Sequence, residues 1–142
     1  MAKSKFDPNR LSFQACTQRI QRAAKAAGLK ADGGIITSKD EGVPELRKTL
    51  STTNVPKGFQ KWQLPVHLDS PSHLFITVAE PNVKSPRHSH KDGDGIRFIA
   101  GGSITYEGKE LSAGDWMFIP AGQEYSFEVG PHGALMCYCY AC

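Results

Sequence analysis

An all-β domain carrying an N-terminal α-helical extension is the fold class this sequence predicts, and three observations support it. Glycine (14) and proline (9) together supply 23 of the 142 residues, a punctuation density that favours short strands joined by tight turns. Eight short apolar or alternating segments crowd into the part of the chain from Gln60 to Tyr140, with no helical pattern between them. Residues 9 to 27 alone carry apolar side chains at helical spacing. The result is an antiparallel barrel or sandwich with one helix ahead of it.

The helix is expected to start at Asp7-Pro8, which offers a side-chain acceptor at the N-cap and a proline at the first helical position. Phe13, Cys16, Ile20, Ala23, Ala24 and Ala27 then share one side, and Arg19, Arg22 and Lys25 the other. Gly28 supplies the stop. From Ala31 to Pro56 no periodicity is sustained, apart from a possible helical turn over Pro44 to Thr49. Strands are expected at Gln60 to Leu68, His73 to Glu80, Ile96 to Ala100, Ser103 to Tyr106, Lys109 to Leu111, Trp116 to Ile119, Tyr125 to Val129 and Ala134 to Tyr140. Glu107-Gly108 reads as a hairpin turn. Tyr125, Phe127 and Val129 alternate with Ser126 and Glu128, so that strand buries one face. This divides the chain into an extension over 1–57 and a barrel over 58–142.

Charge is divided in the same way. Residues 1 to 30 carry seven basic groups against Asp7 alone, a balance of +6, whereas residues 61 to 142 carry six basic and nine acidic groups, a balance of −3. Clustered Lys and Arg suit phosphate contacts. The arm lacks interleaved aromatics and any reading-head motif, so a solvated helix face is the expectation and nucleic acid is not. Apolar runs are only a few residues long, which excludes a membrane-spanning helix. The start has the charge of a secretory leader without its apolar core, and a cytoplasmic location is expected.

Chemistry concentrates at His88-Ser89-His90. Histidines at i and i+2 on an extended strand point to one side of the sheet, a spacing that lets two ring nitrogens reach one cation. Asp94 follows across Lys91-Asp92-Gly93 and offers a carboxylate. Two histidines and a carboxylate form the donor set of mononuclear iron sites and of several zinc sites.

The surroundings resemble the cupin family. Its first motif, G-x5-H-x-H-x3–4-E-x6-G, is matched by Asn82, five residues, His88-Ser89-His90, three residues, Asp94, six residues and Gly101. Its second, G-x5-P-x-G-x2-H-x3-N, is matched by Gly114, Asp115 to Ile119, Pro120-Ala121-Gly122, then Tyr125 and Val129. The resemblance covers residues 82 to 129. It implies a double-stranded β-helix, the jelly-roll barrel, with the ligand or metal inside, often as a homodimer.

Two departures bear on function. Cupins use three histidines and a glutamate; here Asp94 stands for the glutamate, one methylene shorter, and Tyr125 replaces the third histidine. A phenol with an ordinary pKa near 10 is a poor metal ligand, so Tyr125 is expected to hydrogen-bond a substrate or a metal-bound water. Three readings stay open: a divalent metal (Fe, Mn, Zn or Ni) on His88, His90 and Asp94; a metal-free barrel binding or sensing a small organic ligand; or a metal completed by His67 or His73. The first implies a metal-dependent oxygenase, isomerase or lyase acting on a small polar molecule. Phe98, Trp116, Phe118 and Phe127 are candidate pocket walls, and alternation counted from Asp94 turns Arg97 outward. His132 falls in a turn and reads as solvent-exposed. Cys137, Cys139 and Cys142 admit a thiolate site but suit small buried apolar residues better. A bridge between Cys137 and Cys139 is disfavoured, since same-face neighbours on one strand lie about 6.5–7 Å apart.

Overall fold

The computed structural model describes Asp7, residues 10 to 29 and residues 33 to 141. These fall into two compact units. One holds the described residues up to 29 together with Glu41–His67; the other holds 33 to 40 together with 68 to 141. The strand-rich unit therefore begins ten residues later than position 58 and takes in a segment of the expected extension.

In the first unit, helix α1 spans Phe13–Ala26. Its start is later than the Asp7-Pro8 signal, and Pro8 lies outside the described residues. The cap is Ser12, extended at φ −67° and ψ 161°, whose Oγ accepts from the Ala15 N–H at 3.1 Å. Gly28, at φ +64°, ends the helix as expected. The buried stripe is shorter than the sequence suggests. Ile20 and Ala23 are buried, but Phe13 is 86% exposed. Ala23 packs with Leu46 and Leu50 around helix α2 (Val43–Thr49). Arg19 belongs to the packing side too, because its guanidinium donates to Gln63 Oε1 at 2.7 Å and to the Ser51 carbonyl at 3.0 Å. The strand expected at Gln60 to Leu68 is absent. Trp62 makes a single bridge to Ser51, and its ring lies under the Arg47 guanidinium at 3.8 Å.

The second unit is one antiparallel sheet of six strands: β1 (Ile36–Thr37), β2 (His73–Ala79), β3 (Gly95–Tyr106), β4 (Lys109–Ser112), β5 (Trp116–Ile119) and β6 (Glu128–Tyr140). The order is β1-β5-β3-β6-β2, with β4 also on β3. Strand β1, too short for a periodicity to show, is held by Asp40. That carboxylate accepts from the Thr37 N–H and hydroxyl at 3.1 and 2.8 Å. Glu107-Gly108 makes the β3–β4 hairpin with both residues at positive φ, 45° and 76°. Two pairs of expected strands merge: Ile96–Ala100 with Ser103–Tyr106 into β3, and the last one with the end of its predecessor into β6. Register shifts at Ile99/Gly101 and Gly102/Ile104 mark where β3 bends.

Side chains of one parity fill the interior. Ile99, Ile104, Leu111, Met117, Ile119, Val129 and Met136 are buried together with Tyr125, Phe127 and Tyr138. The other parity of β2 faces outward, leaving Leu74, Ile76 and Val78 largely exposed opposite Cys139, Cys137 and Leu135 of β6. Cys137 and Cys139 are free thiols, half-buried on that face, and Cys142 lies outside the described residues. No helix among the described residues is long and apolar enough to cross a membrane.

Candidate functional site

The two histidines do not sit on a regular strand. Residues 82 to 90 run antiparallel to residues 122 to 130 through isolated contacts. Asn82 N–H donates to the Gly130 carbonyl, Val129 N–H to Val83, Ser85 N–H to Phe127 and Gly122 N–H to His90. Asn82, where the cupin motif has glycine, takes φ +63°, a left-handed conformation that asparagine tolerates better than most residues. The substitution therefore keeps the local geometry.

His88 and Tyr125 are directly opposed. They exchange both backbone hydrogen bonds, at 3.1 and 3.0 Å, so their side chains emerge on one face. The rings are 4.7 Å apart, and His90 stands 5.1 Å from His88, edge to face. The histidine pair and Tyr125 are thus brought together. His88 Nδ1 lies 2.7 Å from the Pro86 carbonyl, which can only accept, so Nδ1 carries a hydrogen and in the neutral ring Nε2 is the acceptor. His90 packs on Tyr140 at 4.6 Å and on Tyr138 at 5.2 Å, and its Nε2 is buried with no hydrogen-bond partner. Burial, then the neighbouring His88 and Arg97 charges, hold His90 below the ordinary imidazole pKa.

Asp94 goes elsewhere. Its Oδ1 accepts from the Ala121 N–H at 2.9 Å and so fastens the Pro120-Ala121-Gly122 turn of the second motif. Among the described residues no group of three His, Cys, Asp or Glu side chains is arranged to hold a metal ion. His67 and His73 join no such group either. The donor set present is two imidazoles and a phenol, which falls short of the three-histidine-and-carboxylate shell of cupins.

Arg97 is the residue that sequence reading misplaced. It is 5% exposed and points into the interior. Asp94 precedes the strand, so alternation must be counted from Gly95, which puts residues 95, 97 and 99 on the buried face. Its Nη2 donates to Tyr125 Oη at 3.0 Å, Nη1 faces Met136 Sδ at 3.8 Å, and the guanidinium lies 4.1 Å from the Tyr138 ring and 5.0 Å from that of Phe127. Tyr138 approaches so closely over Gly95 that a Cβ there would meet its hydroxyl at 2.6 Å. Burial, then the neighbouring Tyr125, raise the Tyr138 phenol far above its ordinary value, so it stays a neutral hydroxyl beside Tyr125, without a well-formed hydrogen bond. Tyr138 and Tyr140 were overlooked as site residues, although their alternation with Met136 on β6 signals a shared face. Of the expected apolar walls only Phe127 lines the site. Phe98 pairs with Trp116, and Ile96 with Phe118, on the opposite parity of the sheet.

No protein-family model matches the chain, and no curated protein does. Among solved structures the chain is similar to an RmlC-like cupin from Shewanella frigidimarina, with 18% identity and TM-score 0.42 over 48% of this chain and 63% of that one. It is similar to a cupin protein from Bacteroides fragilis, with 27% identity and TM-score 0.41 over 49% and 64%. It is also similar to a bacterial pirin from Escherichia coli in complex with nickel(II), with 16% identity and TM-score 0.40 over 48% and 30%. The chain spans less than two thirds of the length of each of these three. The two motifs that resemble those of cupins are joined in this structure through the pairing of His88 with Tyr125, within an antiparallel, strand-rich unit.

Proposed function

We propose that this protein binds a small organic molecule in its barrel without a resident metal, the ligand resting among His88, His90, Tyr125, Tyr138 and Tyr140. One observation supports the reading above the others: His90 Nε2 and Tyr138 Oη are buried on rings 5.2 Å apart, and neither makes a well-formed hydrogen bond. Leaving such groups unsatisfied costs about 1–3 kcal/mol each, and a bound molecule offering one acceptor and one donor recovers that. Aromatic rings around a few directed polar atoms are what small-molecule sites commonly present.

A metal on His88 and His90 is the second reading, favoured by the Pro86 carbonyl that orients His88 with Nε2 free. Against it stand the Asp94 carboxylate, committed to Ala121, and the Arg97 cation beside Tyr125. Elemental analysis of protein reconstituted with iron, manganese, zinc and nickel in turn separates the two. The first reading expects sub-stoichiometric metal in the wild type and no change in His88→Ala/His90→Ala. Near-stoichiometric metal that disappears in the double variant would sink it.

A further inference from the structure

Arg97 is a buried cation without a counter-charge. Among the described residues no ion pair involves it, and the groups around it are neutral: two phenols, a thioether and the phenyl ring of Phe127. Its Nε–H has no acceptor at all. A charge taken out of water is costly unless it is paired and hydrogen-bonded, and cation–π contacts recover only a part of that cost. The neighbouring orphans, Tyr138 Oη and His90 Nε2, belong to the same cluster of rings. Elsewhere in this unit exposed charges form close pairs. Arg87 pairs with Glu124 at 2.9 Å and Lys84 with Glu128 at 3.8 Å, beside a surface groove of about 390 Å³ that Tyr125 and Phe127 also line.

Resting on the reading of the site given above, we infer that the ligand is a small organic monocarboxylate, its carboxylate received by Arg97. The Arg97 Nε–H and the Tyr138 hydroxyl supply donors for the two oxygens, and the rings of Tyr140 and Phe127 face the organic part. One guanidinium balances one negative charge, which favours a carboxylate over a phosphate carrying nearly two. Half-buried His88 and His90 stand on the more open side, with buried Arg97 behind them. The buried His90 Nε2, without a hydrogen-bond partner, offers a further polar contact to the same molecule.

The test uses the whole protein and acetate as the probe, with acetamide as the neutral isostere and sodium chloride to match ionic strength. The Arg97 Nε–H resonance is followed by 15N–1H NMR, and the unfolding midpoint in parallel. Acetate is expected to shift that resonance saturably and to raise the midpoint, while acetamide and chloride do neither. Arg97→Gln is expected to weaken acetate at least about tenfold, the loss of a hydrogen bond to a charged group. Arg97→Lys keeps the charge and is expected to fold and retain part of the affinity even if Arg97→Gln does not fold. An equal response to acetamide would overturn the carboxylate assignment and leave the organic-ligand reading standing. No saturable response of the wild type to acetate would overturn the assignment as well. Stoichiometric metal uptake at His88 and His90 would overturn the underlying reading instead, whatever acetate does.

Discussion

Arg97 on β3 and Tyr125 on the second cupin-like motif are joined by a hydrogen bond of 3.0 Å, both side chains being almost wholly buried. The contact ties the long central strand to the segment that faces His88, so packing and site share one bond. Tyr125→Phe keeps the ring against His88 and removes the hydroxyl, the acceptor for Arg97. Leaving an Arg97 N–H unsatisfied is expected to cost about 1–3 kcal/mol, read from the urea midpoint. A variant as stable as the wild type would show that water replaces the phenol.

Gly95 is the seat of Tyr138. Gly95→Ala sets a methyl 2.6–2.9 Å from the hydroxyl and ring atoms of Tyr138, which is tighter than atoms tolerate. The tyrosine must move off Arg97, at an expected cost of about 1–3 kcal/mol and with a changed near-UV tyrosine signal. At Gly101 an added Cβ meets Leu135 only at 3.7 Å, so Gly101→Ala serves as a tolerated control in the same thermal scans.

Asp94 separates a structural from a metal-binding role. Asp94→Asn retains an oxygen for the Ala121 N–H and is expected to cost little stability, whereas Asp94→Ala loses roughly 1 kcal/mol. If Asp94 served a metal, both variants would depress metal uptake alike. Chemical unfolding and metal analysis of the pair decide between these outcomes.

Asp40 sets a pH dependence away from the site. Burial pushes its carboxyl up, but hydrogen bonds from Lys109 and Thr37 outweigh that and hold it below the ordinary 3.8. The unfolded carboxyl thus takes up its proton at higher pH than the folded one. Its contribution is complete above pH 3.8 and is lost as pH falls through the lowered folded value. Asp40→Asn is expected to be less stable than the wild type by roughly 1 kcal/mol near pH 7, the gap closing under strong acid. Urea midpoints across that range check the sign.

Most of the strands were legible because apolar and polar residues alternate within a few positions of each other. Trp116 to Ile119 and the Glu107-Gly108 hairpin needed nothing beyond local chemistry. The late start of α1 was not legible, because Asp7-Pro8 and Ser12 both carry cap chemistry, and the structure uses Ser12. Strand β1 escaped because two residues have no period; its existence depends on Asp40 and on partners in β5 far along the chain.

By itself the sequence determined the strand-rich class, the two motifs and the candidacy of His88, His90 and Tyr125, since these follow from turn residues and side-chain parity within short segments; that His88 lies opposite Tyr125 came from the structure. Only the tertiary structure decided that Arg97 is internal, that Asp94 holds a backbone turn and that Tyr138 and Tyr140 complete the ring cluster. Parity on a strand is known once its first residue is known, and that residue is set by hydrogen bonds to β5 and β6, which lie beyond any local window. The chemistry of the site was therefore present in the residue types, while its electrostatic sign depended on the register of a single strand.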